Sequence, residues 1–441
     1  MEDYFAAFAQ TAEGLTNVLK NVAPVFPLLA KYSLGFSIFM IVLELILGVM
    51  LIVGNNRRTT AWLFFIVMIF FTALTGFTFL TGYVPAEANF FDFAKWGPYI
   101  KTQMRVTDCG CFGDFIKLDP KISFFKDVAL MVPTLIFLFG WRSMHQLWGS
   151  GTRRLVVTAS VLASLLFCIR NAYMNLPWVD FRPFKVGTNV REQYELEKSA
   201  QVDILGWILE NDSTKQVVKY MEPEAGKITY YKTYPKNQGW KVKDQIQTDW
   251  YVEKEGKRMP ITKTKVSEFA VENGDNGEVT DELLSEKGYS MMIVAYKLKG
   301  EKKLESITVQ DTSFVTDTIR VGKDSMRYER RIASLTPRTI EKESFMPTAE
   351  YADFYRNGVN PLAEAAQKAG WKVYAITTIG DAAVSSDFRQ KIGAAYPFYK
   401  ADDKLLKTII RANPGVVIMK DGVVTAMYHH NHLPKFEEIK Q

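Results

Sequence analysis

The chain has 441 residues, enough for two or three domains, and carries a formal net charge of +6. Its Lys and Arg residues are dispersed and form no basic block, which argues against a nucleic-acid-binding protein. The three cysteines, Cys109, Cys111 and Cys168, exclude a disulfide scaffold and leave room for one pair.

Long apolar runs concentrate before residue 175, and charged residues dominate after it. A helix needs about 20 apolar residues to cross roughly 30 Å of hydrocarbon. Four runs reach that length, and they predict spans at about 33–54, 61–83, 124–141 and 154–173. We therefore expect residues 1–175 to form an α-helical transmembrane four-helix bundle in contact with the lipid bilayer.

The orientation of the bundle follows from the basic residues in its short loops. Two arginines lie in loop 55–60 and three in loop 142–154, which predicts that both loops are cytoplasmic. Loop 84–123 and the chain after the fourth span are then outside, although that loop holds five basic and five acidic residues. The amphipathic segment 1–32 must lie outside as well. Either it is translocated unaided, or a further helix precedes it.

The outer loop contains the run Asp108-Cys109-Gly110-Cys111-Phe112-Gly113-Asp114. Gly110 permits the tight turn that two thiols so close together need for pairing. Such a small ring is strained, so its disulfide should be oxidising and labile. The pattern favours a redox pair. A structural disulfide or two inert thiols are the alternatives, and a metal site lacks further ligands nearby.

Several residues near this loop have side chains that suit redox chemistry. Lys126 could lower the pKa of a thiol, and Asp108 or Asp114 could carry a proton. Glu44 stands in the middle of the first span, where a carboxyl group is costly and usually faces the bundle interior. It is either a proton carrier or quinone-contacting group, or a neutral carboxyl that fixes packing. Cys168 is interpreted as an apolar filler.

The part after the bundle divides into two regions. Residues 176–265 show short alternating runs, VDILGWIL, QVVKYM, KITYYKTY and TDWYVEKEGK, which predict a small β-rich module. Residues 266–441 alternate strands and helices and end in a hairpin around Asp421-Gly422, which indicates an α/β domain with a mixed sheet. Residues 299–359 are too long for a plain crossover and are interpreted as an insertion. The predicted elements of this domain are strands 289–298 and 371–378, helices 360–369, 385–393 and 403–410, and hairpin strands 415–420 and 423–428.

With DCGCFGD between its second and third spans, and a glutamate in the span that contains VLELILG, the chain resembles the DoxX/MauE-type membrane proteins. It is most similar to a Bacteroidetes branch in which DFRPFKVGTN and a periplasmic tail follow the bundle. The tail runs VTDELL, GYSMMIVAYKL and YPFYKADDKLLKTIIRANPGVVIMKDG carry the same resemblance. It covers most of residues 1–298 and 360–441.

The resemblance implies a location in the bacterial inner membrane with the C-terminal region in the periplasm. MauE relatives are linked to disulfide handling during maturation of periplasmic methylamine dehydrogenase, and DoxX to quinone-linked redox subunits. Quinone is thus a candidate cofactor, and a periplasmic client or thiol donor a candidate partner. Members usually begin with one more membrane helix before a segment like MEDYFAAFAQ, so we expect such a helix to precede this chain.

The same resemblance implies that residues 266–441 are thioredoxin-like. A cis-proline precedes the hairpin in that fold, and Pro414 occupies the matching place. The tail departs from a catalytic thioredoxin because it contains no cysteine, so it cannot exchange disulfides by itself. It could hold a client, pack over the cysteine loop, or be structural.

Three histidines near the C-terminus, His429, His430 and His432, suggest a metal site. No carboxylate or cysteine completes a local set of ligands, so no metal site is predicted.

Two functions remain. In the first, Cys109 and Cys111 take electrons from a periplasmic dithiol and pass them toward quinone. In the second, the chain is a non-enzymatic, membrane-anchored assembly or client-binding factor. A transporter is disfavoured because the sequence shows one intramembrane carboxylate and no internal repeat.

Overall fold

A computed structural model describes residues 2–13, 24–85, 88–97, 99–100, 103–106, 115, 118–214, 216–274, 277–320 and 326–439. Within these residues, four helices are long and apolar enough to span a bilayer. Two short helices, α1 (Glu2–Glu13) and α2 (Val25–Lys31), precede them. The long helices are α3 (Ser33–Val53), α4 (Arg57–Thr81), α5 (Pro120–Gly140) and α6 (Ser150–Ile169). All four predicted spans are therefore helical.

The long helices pack in the order α6, α3, α4, α5. Val42 and Ile46 of α3 bury Cys168 of α6 among aliphatic side chains. The α3–α4 and α5–α6 turns meet at one end of the bundle, where Arg57 donates to the carbonyl of Arg142 at 2.8 Å. Leu147 N also donates to the carbonyl of Val53 at 3.0 Å. The two turns that the sequence assigns to the cytoplasm thus lie on the same side.

The chain after the bundle belongs to two compact units, 1–182 with 199–263, and 183–198 with 264–441. Helix α7 (Val190–Lys198) is part of the second unit, although the sequence analysis grouped its residues with the β-rich module. Backbone hydrogen bonds hold this segment, because Gly187 N donates to Val424 O at 2.8 Å and Val190 N to Gly422 O at 2.9 Å. These bonds join segments more than 200 residues apart, which local patterns do not reveal.

The β-rich part of the first unit has an antiparallel three-stranded sheet in the order β2-β1-β3 and a two-stranded β4–β5 hairpin. Glu222 organises the connection after β2: its carboxylate accepts bonds from Trp207 Nε1 at 2.7 Å, Thr229 N at 2.9 Å and Tyr230 N at 3.2 Å. The bounds are β1 (Ile204–Asn211), β2 (Val217–Met221), helix α8 (Tyr230–Thr233), β3 (Trp240–Gln247), β4 (Tyr251–Lys254) and β5 (Lys257–Pro260).

The strand-like run 227–234 was a wrong prediction, since it holds the helical turn α8 instead. Its alternating apolar residues suited a strand. The Glu222 carboxylate satisfies the free N–H groups at the start of the turn, which stabilises a helical conformation there. The third strand of the sheet is β3, whose residues are half-buried or exposed and which the sequence prediction did not include.

The second unit is built on a mixed five-stranded sheet in the order β10-β9-β6-β11-β12. Strands β6, β9 and β10 are parallel, and β11 pairs antiparallel with both β6 and β12. This is the mixed sheet that the sequence predicts. The bounds are helix α9 (Thr280–Leu284), β6 (Tyr289–Ala295), β7 (Gly300–Arg320), β8 (Met326–Pro347), α10 (Ala349–Phe354), α11 (Asn360–Lys368), β9 (Lys372–Thr377), α12 (Ala382–Ile392), β10 (Phe398–Lys400), α13 (Asp403–Ile409), β11 (Gly415–Lys420), β12 (Val423–His429) and α14 (Phe436–Ile439).

The insertion of the second unit is a long antiparallel ribbon of β7 and β8, which we call the β7–β8 ribbon. It spans 300–347 and so ends before residue 359, the predicted limit. Residues after it belong to the domain core: Tyr351, Tyr355 and Val359 are fully buried against the central sheet. Aromatic burial of this size contributes several kcal/mol, which explains why the helices after the ribbon are part of the domain.

Candidate functional site in the membrane helices

The predicted redox pair, Cys109 and Cys111, and the flanking Asp108 and Asp114 lie outside the described residues. The chain on either side of them is described. Val106 packs with Phe77 of α4 and Ala7 of α1 in one buried cluster. On the other side, the Asp119 carboxylate accepts from Lys121 N at 2.9 Å and caps the start of α5. Both ends of the cysteine loop are therefore attached to the same end of the bundle.

Arg105 strengthens this attachment. Its guanidinium donates to Thr11 Oγ1 of α1 at 2.5 Å and to the carbonyl of Ala88 at 3.2 Å. Burial lowers the pKa of Arg105 from its usual value. The amide of Asn89 adds a bond to the carbonyl of Thr11 at 3.0 Å. Helix α1, which the sequence presents as a modest amphipathic helix, thus lies against α4 and the outer loop.

A buried polar group lies below the loop, between α4 and α5. The Asp127 side chain is 4% exposed; one of its oxygens accepts from Thr75 Oγ1 at 2.9 Å. The other oxygen lies 3.0 Å from Lys126 Nζ. Asp127 is seven residues into its span, which corresponds to about 10 Å of helix. The candidate span begins at Pro120, so it includes Asp127 as a second carboxyl group beside Glu44 of the first span.

The burial of Asp127 follows from the pattern of α5. Its buried residues include Ser123, Asp127 and Thr134, which share one face of the helix, while most of its large apolar residues are exposed. Polar side chains in a membrane helix usually face other helices, because lipid offers them no hydrogen bonds. Ser123 Oγ is buried and has no hydrogen-bond partner among the described residues. Its hydroxyl is therefore available on the same face as Asp127.

Glu44 is the second carboxyl group of the bundle, eleven residues into α3 or about 16 Å of helix. Its side chain is exposed on the surface of α3, whereas the sequence argument expected it to face the interior. The charge of Lys126 on α5 acts on it electrostatically. We call the Lys126–Asp127 ion pair of α5, together with Glu44 of α3 on which the charge of Lys126 acts, the membrane charge cluster.

An apolar cavity of about 540 Å³ opens beside α4. A Cβ added at Gly76 would meet the Phe124 ring at 3.0 Å, so the glycine allows this ring to pack against α4. The cavity could hold a flat ring and part of a hydrocarbon tail, since its lining is aromatic and aliphatic. It is lined by Phe8, Phe70, Thr72, Ala73, Leu74, Gly76, Phe77, Leu80, Phe90 and Phe124.

Two members of this site, Thr75 and Asp127, were missed as site residues. Thr75 stands in an uncharged run and has no sequence signal of its own. Asp127 did carry one, because it is four residues after Ser123 and seven before Thr134, the spacing of one helical face. A search for polar residues at this spacing within the spans would have found it.

The C-terminal domain presents a second group of predicted residues. The Asn413–Pro414 peptide bond is cis. Asn413 Oδ1 accepts from Lys297 N, just after β6, at 3.3 Å, and from Tyr351 OH at 3.3 Å. Burial raises the pKa of Tyr351 above its usual value. Hydrogen bonds from Lys297 and Tyr351 thus hold Asn413, the residue before the cis-proline, and no thiol lies among the described residues there.

Two of the three histidines, His429 and His430, have hydrogen-bond partners within the domain. His430 Nδ1 lies 2.8 Å from the carbonyl of Pro414, and His429 Nδ1 accepts from Asn431 N at 3.2 Å. Burial, together with the charges of His430 and His432, lowers the pKa of His429 to about 4. Within the described part of the chain, no group of three or more His, Cys, Asp or Glu side chains could hold a metal ion.

No protein-family model, curated protein or solved structure matches this chain.

Proposed function

We propose that this chain is a membrane redox protein of the DoxX/MauE type that exchanges electrons through Cys109 and Cys111. Its C-terminal domain would be thioredoxin-like and periplasmic, and its bundle would lie in the inner membrane. The observation that carries the proposal is the membrane charge cluster, which holds two carboxyl groups and a lysine in the helices below the cysteine loop. Intramembrane ionisable groups are costly and usually functional.

The covalent chain limits how far the thiols can be from this cluster. Cys109 follows Val106 by three residues, which span at most about 11 Å. Val106 packs on Phe77, and Thr75, the partner of Asp127, stands two residues before Phe77 in α4. Asp127 and Glu44 would be the candidate acceptors in the helices for a proton released at the loop.

The proposed reaction begins with attack of a client thiolate on the Cys109–Cys111 disulfide. The resulting mixed disulfide is resolved by the second client thiol, which leaves an oxidised client and two reduced cysteines. Reoxidation of the pair releases two electrons and two protons. Asp127 and Glu44 would take these protons, and the Lys126 ammonium would stabilise the thiolate or the carboxylates according to which group is charged.

A membrane quinone, when bound, would supply the acceptor for two electrons and two protons. The lining of the apolar cavity suits such a molecule, because rings such as Phe77 and Phe124 could contact its ring and aliphatic side chains its tail. The assignment of quinone as the acceptor follows from the family resemblance. The apolar lining of the cavity supports it, because such a lining suits a ring and a hydrocarbon tail.

The thioredoxin-like assignment of the tail is supported by its architecture. Two parallel strands, β6 and β9, are joined through helices α10 and α11, and the antiparallel β11–β12 hairpin extends the sheet beside β6. Without a cysteine of its own, this domain would bind or orient a client and leave the exchange to the loop.

The direct test is differential alkylation of the thiols in isolated membranes that contain the full chain, with and without added quinone. We expect a mixture of reduced and oxidised Cys109/Cys111 that shifts toward the disulfide when quinone is added. A pair that stays in one state under all conditions would contradict the redox function.

The Asp127→Asn variant tests whether the membrane charge cluster takes part in reoxidation of the cysteine pair. Removing a positioned proton acceptor should slow quinone-dependent reoxidation by about 10²-fold, and Glu44→Gln should slow it as well. Asp92→Asn is the matched control, because Asp92 forms an exposed ion pair with Lys95 in the same loop region. If Asp127→Asn and Asp92→Asn reoxidise at equal rates, the cluster has no role in the reaction.

The alternative function is a non-enzymatic, membrane-anchored assembly or client-binding factor. The observation that favours it is the combination of a tail without cysteine and the exposed β7–β8 ribbon. A Cys109/Cys111 disulfide that never opens, together with a stable complex captured through the tail, would support this function over the first.

A further inference from the structure

Five arginines gather at the end of the bundle where the α3–α4 and α5–α6 turns meet. Neither turn brings a carboxylate to this end, because the sequence has no Asp or Glu at positions 45–86 or 128–179. Among the residues that the structure describes, none of the five arginines forms an ion pair. We call this group the arginine end; its members are Arg57 and Arg58 of α4, Arg142 after α5, and Arg153 and Arg154 of α6.

The half-buried members of the arginine end bind main-chain carbonyls. Arg57 donates to the carbonyl of Arg142 at 2.8 Å and to that of Met144 at 3.0 Å. Arg153 donates to the carbonyl of Trp148 at 2.6 Å. A carbonyl oxygen carries only a partial charge, so these bonds fix the two turns and leave the positive charge of the arginine end in place.

The other three members, Arg58, Arg142 and Arg154, are exposed. The guanidinium of Arg142 lies 5.3 Å from the centre of the Trp141 ring, a cation–π contact. None of the three guanidinium groups forms a hydrogen bond with a residue that the structure describes. The arginine end therefore presents three charged groups whose N–H donors are available to an anion.

Exposed tryptophans lie at the same end of the bundle. Trp148 is 62% exposed, and Trp62, about 8 Å of helix after Arg57, is 48% exposed. The φ angle of Trp148 is +57°, a left-handed conformation that costs free energy for a residue with a side chain, and the bond from Arg153 to its carbonyl holds this conformation. Tryptophan is enriched where the acyl chains of a bilayer meet its headgroups. The tryptophans therefore place the arginine end at headgroup level.

A phospholipid phosphate has the chemistry that this end would recognise. A guanidinium binds phosphate oxygens through two parallel N–H bonds, which are strengthened by the opposite charges. Inorganic phosphate or an acidic polypeptide would also supply negative charge, but neither brings acyl chains to the exposed indoles and helix surfaces beside the arginines. The combination of arginine and exposed tryptophan therefore favours a lipid over the other two anions.

We propose that the arginine end is a binding site for anionic phospholipids, whose headgroup phosphates contact Arg58, Arg142 and Arg154. The acyl chains of the bound lipids lie along the exposed apolar side chains of the neighbouring helices. The bound anions offset the repulsion among five like charges and so stabilise the two turns. The site is separate from the proposed redox function, because the cysteine loop is attached to the other end of α4 and α5.

Native mass spectrometry of the full chain in detergent, titrated with defined lipids, tests the selectivity of the site. We expect phosphatidylglycerol to remain bound at concentrations at which phosphatidylcholine with the same acyl chains does not. Arg58→Gln and Arg142→Gln should each weaken phosphatidylglycerol binding by about fivefold. Arg170→Gln is the matched control, because Arg170 is equally exposed but lies at the opposite end of α6. Equal binding of the two lipids, or an equal loss in Arg170→Gln, would overturn the proposal.

Thermal unfolding of the same protein separates a lipid site from a simple anion site. Phosphatidylglycerol should raise the unfolding midpoint of the wild-type chain, and inorganic phosphate at the same concentration should not. If inorganic phosphate raises the midpoint as much as the lipid does, the lipid assignment is wrong. Arg142→Lys keeps the charge and should retain most of the phosphatidylglycerol binding that Arg142→Gln loses, which separates loss of charge from misfolding. A lysine variant that binds as weakly as the glutamine variant would also overturn the proposal.

Discussion

Buried carboxylates in this protein are held by several donors at once. The fully buried Glu197 in α7 accepts from Gln193 Nε2 at 2.6 Å, Thr264 N at 2.9 Å and Ser267 N at 3.0 Å. Burial alone would raise the pKa of this carboxyl, but the hydrogen bonds from Gln193, Thr264 and Ser267 lower it below its usual value. Glu197 therefore stabilises the attachment of α7 to the second unit in its charged form.

Replacement of Glu197 should show this contribution. Glu197→Gln keeps the size but turns an NH₂ group toward buried donors, so we expect a loss of about 1–3 kcal/mol and a lower midpoint of thermal unfolding. Glu195→Gln, on the exposed side of the same helix, should change little. The measurement is the unfolding midpoint of the full chain in detergent; equal midpoints for the two variants would contradict the assigned role.

The pH dependence of the same variant has a definite sign. Because the folded pKa of Glu197 is below the unfolded value of 4.5, its stabilisation is present above about pH 4.5 and is lost as the pH falls through the folded pKa. Glu197→Gln should therefore weaken the dependence of the midpoint on pH in the acid range. A midpoint curve as steep as that of the wild-type chain would show that other groups cause the acid loss.

His429 should destabilise the domain in mild acid. Its folded pKa of about 4 lies below the ordinary 6.5, so protons bind the unfolded chain first as the pH falls from 6.5 to 4. The expected loss is on the order of 1–3 kcal/mol. His429→Asn keeps an acceptor for Asn431 N and should flatten the midpoint curve in this range. The exposed His432→Asn serves as control, and an unchanged curve in His429→Asn would contradict the assignment.

At the scale of elements, apolar periodicity predicted the long helices and most of the second unit, with limits close to those found. It failed where contacts distant in sequence decide the conformation. Helical turn α8 depends on the Glu222 carboxylate. Strand β3 (WKVKDQIQ) does alternate apolar and polar residues, and the prediction missed it; none of its residues is fully buried. The burial of Asp127 likewise depends on Thr75, 52 residues earlier in the chain.

The packing of α4 on α5 can be tested at Gly76. Gly76→Ala places a methyl group 3.0 Å from the Phe124 ring, so the ring or the helix must shift. We expect a loss of about 1–3 kcal/mol from overpacking and a lower unfolding midpoint. Gly48→Ala in α3 meets no atom within 4 Å and should be neutral or slightly stabilising. A Gly76→Ala midpoint equal to that of Gly48→Ala would show that this contact is not tight.

At the scale of the whole molecule, the orientation of the bundle is the main expectation that remains to be measured. Positions in the α5–α6 turn should be cytoplasmic, and the C-terminal unit should be on the other side. Gly149→Cys should then react with a membrane-impermeant maleimide only in inverted vesicles, and Glu437→Cys only in intact spheroplasts. Wild-type labelling gives the background, and the reverse pattern would invert the topology.

The amino-acid sequence by itself determined the four spans, the mixed α/β character of residues 266–441 and the position of the hairpin at Asp421-Gly422, because each depends on local periodicity or turn chemistry. Only the tertiary structure decided that Asp127 and Thr75 meet, that α7 belongs to the second unit, and that β7 and β8 pair as one long ribbon. These features depend on pairing between segments far apart in the chain. Their free energy comes from burial and hydrogen bonds that no local pattern encodes.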